Sequence, residues 1–117
     1  VAGDGDIMMT VQELATAAQY DIALILLIVD NGMYGTIRMH QEREYPGRIS
    51  ATELKNPDFA AMAAAMGCHA ETVRDSADFA AAFDRAKASG RPAVLHCFLD
   101  PEALTIAKTL SEVRAGA

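Results

Sequence analysis

The feature that most constrains the fold is an unbroken aliphatic run from Ile22 to Val29, which is followed by Asp30-Asn31-Gly32. The run has the length of a strand and is far shorter than the roughly 20 apolar residues that a membrane-spanning helix needs. Because apolar and polar residues do not alternate along it, both faces of the strand must be covered by other parts of the protein. The run therefore predicts an α/β fold with a mainly parallel sheet.

The rest of the chain alternates between helical and strand-like segments. Gly3 ends a first strand, and apolar residues at helical spacing then predict a helix that begins near Asp6. Those residues are Met8, Val11, Leu14, Ala15 and Ala18. The predicted segments after the aliphatic run are a short helix at 33–42, a surface loop at 42–56, a helix at 57–66, a strand at 68–73, a helix at 75–88, a strand at 92–99 and a helix from 101 to about 113. This order predicts a three-layer α/β sandwich.

Composition limits the classes of partner. The net charge of −6 argues against nucleic acid and anionic membranes, because both attract a positive face. Cys68 and Cys97 lack the spacing of metal ligands and are expected to be reduced core residues. No segment resembles a signal peptide, so a cytoplasmic protein is expected. A strand that ends at Gly3 is too short to begin a sheet, so residues 1–117 are expected to be one partial domain whose N-terminal part is missing.

Two glycine-containing turns carry the most informative polar residues. Gly3-Asp4-Gly5-Asp6 and Asn31-Gly32-Met33-Tyr34-Gly35 both lie at the carboxyl ends of predicted strands, where α/β proteins bind ligands. The first turn opens a helix, whose N–H groups favour an anion, and its Asp4 offers a hard oxygen to a metal ion. In the second turn, Asn31 offers an oxygen and the backbone can aim a carbonyl inward. Two side-chain oxygens, a carbonyl, phosphate and water suit Mg²⁺.

Three other motifs are excluded on the same residues. An EF-hand loop that began at Asp4 would need Gly and Glu where Met9 and Ala15 stand. A dinucleotide fingerprint would need a third glycine, and a Walker A loop would need Gly-Lys-Ser/Thr. Taken alone, the residues still allow a simpler interpretation, in which the two turns belong to an α/β protein without a cofactor.

The spacing of the two turns resembles a known signature. Gly3-Asp4-Gly5, then the 25 residues 6–30, then Asn31 resembles the Gly-Asp-Gly…Asn-Asn motif of thiamine-diphosphate enzymes. Residues 9–17, 29–38, 56–60 and 90–93 resemble the acetolactate synthase and benzoylformate decarboxylase branch of that family. The resemblance covers nearly the whole chain. It implies the C-terminal cofactor-binding domain of such an enzyme, with the thiamine-diphosphate-binding fold.

The resemblance also implies a cofactor site. The side chains of Asp4 and Asn31 and the carbonyl of Met33 would bind Mg²⁺. Backbone N–H groups of Gly5 and Asp6 would meet the diphosphate. The implied cofactor-binding residues are Gly3, Asp4, Gly5, Asp6, Asn31, Met33, Tyr34, Gly35, Thr36 and Ile37, of which Thr36 and Ile37 would lie near the reacting carbons.

No residue of this chain matches a catalytic residue of the family. The family's activating glutamate comes from a separate pyrimidine-binding domain, and Glu13 and Glu42 lie in the wrong domain. The fragment alone is therefore expected to be inactive. The full-length protein would be an acetolactate synthase-like lyase or transferase that acts on a 2-oxo acid, as a homodimer or homotetramer with its upstream domains. The alternatives are a 2-oxo acid decarboxylase or acyltransferase of the same family, and a non-catalytic assembly domain.

Several residues depart from the family motif or need their own interpretation. Asp30 replaces the first Asn of the motif. Its carboxylate would either lower the affinity for diphosphate or accept a local turn hydrogen bond, and the second interpretation is favoured. His96 lies inside a strand and is expected to be a satisfied core histidine, whereas His40 lies near the second turn and could face substrate. Glu42-Arg43-Glu44 is expected to be a solvated loop face.

Overall fold

The computed structural model describes residues 1–116. Its strands are β1 (Ala2–Gly3), β2 (Ile25–Asp30), β3 (His69–Val73) and β4 (Ala93–Phe98). Its helices are α1 (Asp4–Ile7), α2 (Glu13–Gln19), α3 (Gly35–Glu44), α4 (Phe59–Ala65), α5 (Phe79–Ala88) and α6 (Leu110–Arg114), with a short 3-10 helix at Ser76–Asp78 before α5. Within this part of the chain, no helix has the length and apolar character needed to cross a membrane.

The four strands form one parallel sheet in the order β1-β2-β4-β3. The aliphatic run supplies β2, which lies between β1 and β4 and is covered on both faces. The strand begins at Ile25 rather than at Ile22, because a turn after α2 leaves Ile22 47% exposed. The predicted α/β fold with a parallel sheet is confirmed.

Helices cover both faces of the sheet. On one face, Ile28 of β2 and Val94 of β4 pack with residues of α1, α2 and α4. On the other face, Leu27 of β2 and Leu95 of β4 pack with residues of α5. The helix residues of the two clusters are Ile7, Leu14, Phe59 and Ala63 on the first face and Ala82 and Ala86 on the second. Since alternate residues of one strand point to opposite faces, the arrangement is a three-layer sandwich.

The chain divides into two compact units. The first unit comprises residues 1–30 and 56–98 and contains the sheet with α1, α2, α4 and α5. The second comprises residues 31–55 and the segment that begins at Leu99, and it contains α3 and α6. Asp4 thus belongs to the first unit, whereas Asn31 and Met33 belong to the second.

The predicted first helix is interrupted. Residues 8–12 form turns between α1 and α2, and the N–H groups of Met9, Thr10 and Glu13 bond carbonyls three residues back. The β-branched Thr10 and Val11 have low helix propensity, which accounts for the break.

The last helix also differs from its prediction. It begins at Leu110 rather than near Pro101, because Thr109 and Glu112 form a capping box there. The Thr109 hydroxyl accepts a hydrogen bond from the Glu112 N–H at 3.2 Å, and the Glu112 carboxylate accepts one from the Thr109 N–H at 2.7 Å. This reciprocal pair satisfies two N–H groups of the first turn and sets the start of the helix.

Candidate functional site

The parallel pairing of β1 with β2 brings two aspartates together. Gly3 is the register partner of Val29, so Asp4, which follows β1, and Asp30, which ends β2, lie at neighbouring positions. Both residues are buried, at 3% and 5% exposure. The Asn56 amide donates to both of them, with Nδ2 lying 2.6 Å from Oδ2 of Asp4 and 2.8 Å from Oδ1 of Asp30.

His96 holds Asp30 from the neighbouring strand. Its Nε2 lies 2.8 Å from Oδ2 of Asp30, and its side chain is enclosed by the rings of Phe59 and Phe98. Its other ring nitrogen, Nδ1, is buried and has no hydrogen-bond partner among residues 1–116. The tautomer with its proton on Nε2 is therefore favoured, since a proton on Nδ1 would be a buried donor without an acceptor. The prediction that His96 is a core histidine with its hydrogen bonds satisfied is therefore confirmed for Nε2 only.

The contact between the two carboxyl groups affects their ionisation. Burial raises the pKa of the Asp4 carboxyl, and the adjoining Asp30 carboxyl raises it as well. Hydrogen bonds from the Asn56 amide and the Gly5 N–H act in the opposite direction on this pKa. Two carboxylates in contact repel each other, and a divalent cation relieves such repulsion. The oxygen donors at this edge of the sheet therefore fit a hard cation such as Mg²⁺.

Asp30 makes two hydrogen bonds to residues that are distant in sequence, which the local-turn interpretation does not include. Asn56 and His96 lie 26 and 66 residues away in sequence. The neighbouring Asn31 makes a local turn bond, in which its Oδ1 accepts from the N–H of Met33 at 3.2 Å. The aspartate at this position is thus part of a long-range buried network.

The first turn is held by its own residues. Oδ2 of Asp6 accepts from the N–H of Gly3 at 3.2 Å, and Oδ1 of Asp4 accepts from the N–H of Gly5 at 3.1 Å. A side chain at Gly3 would place its Cβ 3.0 Å from Oδ2 of Asp6, so only glycine fits without displacing that carboxylate. A carboxylate has about four acceptor positions, so the bonds to Asp4 are compatible with a metal ion there.

The second turn, in the second unit, is braced by the segment around Glu53. The N–H of Tyr34 donates to the carbonyl of Thr52 at 2.9 Å, and the N–H of Leu54 donates to the carbonyl of Gly32 at 2.8 Å. These bonds flank an isolated antiparallel bridge between Met33 and Glu53, and they do not use the Met33 carbonyl. The carbonyl that the motif assigns to the metal ion is thus not consumed by the bridge.

Gly35 gives the side chain of Asn31 its space. A Cβ at Gly35 would lie 2.9 Å from Nδ2 of Asn31, which is closer than real contacts allow. Gly35 also begins α3, so the helix that carries Thr36 and Ile37 starts directly beside the Asn31 amide. Tyr34 and Ile37 are 42% and 58% exposed, and Thr36 is exposed too.

The prediction for Glu42 is wrong. Glu42 lies within α3 and is fully buried, where Arg38 and Arg114 bond its carboxylate at 2.9 to 3.0 Å. Arg114, the N–H of Gly47 and Arg38 hold the pKa of this carboxyl at about 2. Only Arg43 and Glu44 of the predicted solvated face are exposed, and His40 on the same helix is exposed as well. Glu42 can be buried because the guanidinium groups of Arg38 and Arg114 neutralise its charge.

Residues 1–97 match the family described as thiamine pyrophosphate enzyme, C-terminal TPP binding domain. The chain belongs to this family. The family match spans Asp4, Asn31, Asn56 and His96, whereas α6 lies beyond it.

Curated members of the thiamine pyrophosphate enzyme family with similar sequences are acetolactate synthases. The chain is 36% identical over 101 residues to the large subunit of acetolactate synthase isozyme 2 of Escherichia coli (strain K12), covering 86% of this chain and 18% of that protein. It is 33% identical over 109 residues to the acetolactate synthase large subunit of Corynebacterium glutamicum, covering 88% and 17%. The chain thus spans less than a fifth of the length of these relatives.

Solved structures of two decarboxylases share the fold. The benzoylformate decarboxylase of Polynucleobacter necessarius superposes with a TM-score of 0.78 at 23% identity, covering 86% of this chain and 19% of that one. The 4-hydroxybenzoylformate decarboxylase of Rhodococcus jostii RHA1 gives 0.75 at 29% identity, covering 85% and 19%. The predicted thiamine-diphosphate-binding fold is confirmed.

Sequence reasoning did not place Asn56 at this site. Asn56 precedes Pro57, and it enters the sequence-based predictions only at the end of the predicted 42–56 loop and in the 56–60 segment that resembles the family. Among residues 1–116, no three His, Cys, Asp or Glu side chains are grouped to hold a metal ion. The ligand set implied by the resemblance contains one carboxylate, one amide and one carbonyl, so it does not require such a group.

Proposed function

We propose that the chain binds Mg²⁺ and the diphosphate of thiamine diphosphate in an enzyme resembling acetolactate synthase. The observation that carries this proposal is Asp4, which is buried at the carboxyl end of β1 in a chain of the thiamine pyrophosphate enzyme family. The reaction proposed for the complete enzyme is decarboxylation of a 2-oxo acid followed by carbon–carbon bond formation with an acceptor.

The proposed metal ligands are the side chains of Asp4 and Asn31 and the carbonyl of Met33. Mg²⁺ suits such a set, because it takes few protein oxygens and completes its shell with phosphate and water. The carboxylate of Asp4 is already oriented by the N–H of Gly5 and by Asn56. The absence of a side chain at Gly35 leaves room for the Asn31 amide.

The remaining cofactor-binding residues are proposed to contact the diphosphate and the rest of the cofactor. The N–H of Asp6 would donate to a phosphate oxygen, and the N–H of Gly5 would share its hydrogen between Oδ1 of Asp4 and a second phosphate oxygen. Gly3 and Gly35 allow close backbone approach. The exposed Tyr34, Thr36 and Ile37 would line the cofactor and keep water from it. Thiamine diphosphate, when bound, would supply a nucleophilic ring carbon that adds to the carbonyl of a 2-oxo acid and a cationic ring that accepts the electron pair released when carbon dioxide leaves.

The complete enzyme is proposed to need parts beyond this chain. An activating glutamate would come from a pyrimidine-binding domain of the same enzyme, in a homodimer or homotetramer. A cytoplasmic location also stays a prediction. This chain's own residues would bind and orient the cofactor, and none of them would act as the catalytic acid or base.

The proposal is tested by calorimetric titration of thiamine diphosphate with Mg²⁺ into the complete protein. Binding heat is expected, and Asp4→Ala should weaken the affinity by about 100-fold or more, because it removes a charged ligand. Asp84→Ala, which removes an exposed carboxylate from α5, is the matched control and should leave the affinity unchanged. No heat, or equal affinity for Asp4→Ala and the parent protein, would overturn the proposal.

A decarboxylase of the same family is the second candidate. It is favoured by the 4-hydroxybenzoylformate decarboxylase of Rhodococcus jostii RHA1, which shares this fold at 29% identity. Product analysis separates the two candidates. With pyruvate, acetolactate would indicate the synthase, whereas release of an aldehyde from an aromatic 2-oxo acid would indicate the decarboxylase. An acyltransferase would instead pass the acyl group to an added thiol or phosphate acceptor, and cofactor binding without turnover of any 2-oxo acid would indicate an assembly domain.

A further inference from the structure

We propose that Asn56 is a positioning residue for Asp4, because its amide ties this carboxylate to the buried Asp30–His96 pair. The inference rests on the proposed function, in which Asp4 binds the metal ion. It adds a residue that the two-turn motif does not contain and that lies 52 residues from Asp4 in sequence.

The geometry of the amide supports this role. A single NH₂ group contacts two carboxylates, at 2.6 Å for Asp4 and 2.8 Å for Asp30, so each of its hydrogens has an acceptor. The amide orients both groups without adding a positive charge. A lysine or arginine in its place would neutralise Asp4 and compete with a cation, whereas a neutral donor preserves the attraction of the site for Mg²⁺.

The other end of the network is anchored in the sheet. Asp30 ends β2, and His96 of β4 bonds its second oxygen at 2.8 Å. His96 is 2% exposed and is held between two aromatic rings. Asp4 is therefore connected through Asn56 and Asp30 to a side chain that has little freedom to move.

Asn56 is itself held by the start of α4. Pro57 restricts the residue before it to extended conformations, which removes part of the freedom of Asn56. Asp58 caps the helix by accepting from the N–H of Ala61 at 2.9 Å, and Phe59 is fully buried against the ring of His96. The segment at 56–59 therefore packs against His96 and Asp30, the same pair to which Asn56 connects Asp4.

The test compares two neighbouring variants of the complete protein. Asn56→Ala removes both donors, and Asp58→Ala removes the cap of the same helix without touching either carboxylate. Affinity is measured by titration of thiamine diphosphate with Mg²⁺, and of Mn²⁺ alone by electron paramagnetic resonance. Asn56→Ala should weaken both affinities by about 10- to 100-fold, as loss of groups that orient metal ligands does. Asp58→Ala should change them less than about twofold.

The outcomes separate this inference from the proposed function. If Asp4→Ala abolishes binding and Asn56→Ala does not weaken it, the inference is wrong and the function stands. If Asp4→Ala binds as the parent does, the proposed function fails, and the inference fails with it. An equal loss in Asp58→Ala would also overturn the inference. Should Asn56→Ala not fold, Asn56→Gln decides, because it keeps the donors but displaces them by one methylene, and unchanged affinity would contradict the positioning role.

Discussion

Nε2 of His96 lies 2.8 Å from Oδ2 of Asp30, and both residues are at least 95% buried. The two residues stand on adjacent parallel strands, β4 and β2, at the carboxyl edge of the sheet. A buried carboxylate requires compensation, and here it comes from a ring nitrogen on one side and an amide on the other. The His96–Asp30 pair therefore links two strands of the sheet to Asn56, whose amide holds the carboxylate of Asp4.

The His96–Asp30 pair can be tested through stability. His96→Leu should lower the free energy of unfolding by about 3 kcal/mol, because it leaves a buried carboxylate without its donor. Adding Asp30→Asn should restore part of that loss, since the unpaired charge is then absent. Urea denaturation followed by circular dichroism would give the double-mutant cycle. Strictly additive effects of the two substitutions would contradict a direct interaction.

Gly35 is predicted to be required for the position of Asn31. In Gly35→Ala the new methyl group would lie 2.9 Å from Nδ2 of Asn31, so that side chain must move. We expect affinity for Mg²⁺ with thiamine diphosphate to fall by about 10-fold or more, measured by calorimetry. Gly90→Ala is the control, because its Cβ would meet nothing within 4 Å, although the backbone there has a φ of +64°. The control should lose stability and keep its affinity.

The low pKa of Glu42 predicts how the stability of the fold changes in acid. Its pKa lies at about 2, below the usual 4.5, so its ionised form stabilises the fold above about pH 4.5. That contribution is lost as the pH falls through about 2. The difference in melting temperature between the parent and Glu42→Gln should therefore shrink from about pH 5 to about pH 2. Glu44→Gln, an exposed residue of the same helix, controls for the loss of one negative charge. A difference independent of pH would argue against the Arg38–Glu42–Arg114 network.

The two cysteines are predicted to be unreactive in the folded protein. Both are free and buried, and burial raises the pKa of each thiol. The reactive thiolate is therefore scarce near neutral pH. Alkylation followed by mass spectrometry should leave Cys68 and Cys97 unmodified under native conditions and modify both in denaturant. Rapid native labelling of either residue would show that its thiol is accessible.

Much of the first unit could be predicted from local patterns. The aliphatic run predicts a strand with two covered faces, and β2 has them. The two glycine turns were placed at strand ends, and the register of Gly3 with Val29 puts Asp4 beside Asp30. These predictions succeed because they depend on residues near each other in sequence and on general rules for parallel sheets.

The long-range partners could not be predicted in this way. Asn56 contacts Asp4 and Asp30 although it lies 52 and 26 residues away from them in sequence. Glu42 is buried because Arg114, 72 residues later, neutralises it, and a charged triplet in sequence does not reveal such a partner. The predicted start of α6 was wrong although a local signal exists, because Thr109 and Glu112 have the spacing of a capping box.

The register between β1 and β2 has a consequence for changes in chain length. Residues added in the turn at 21–24 would leave Asp4 and Asp30 side by side, because the strands on both sides keep their pairing. A single residue inserted between Ile25 and Asp30 would instead rotate the rest of the strand by half a repeat and turn Asp30 to the opposite face, away from His96. Libraries that vary the length of this domain should therefore tolerate insertions before the strand and reject them within it.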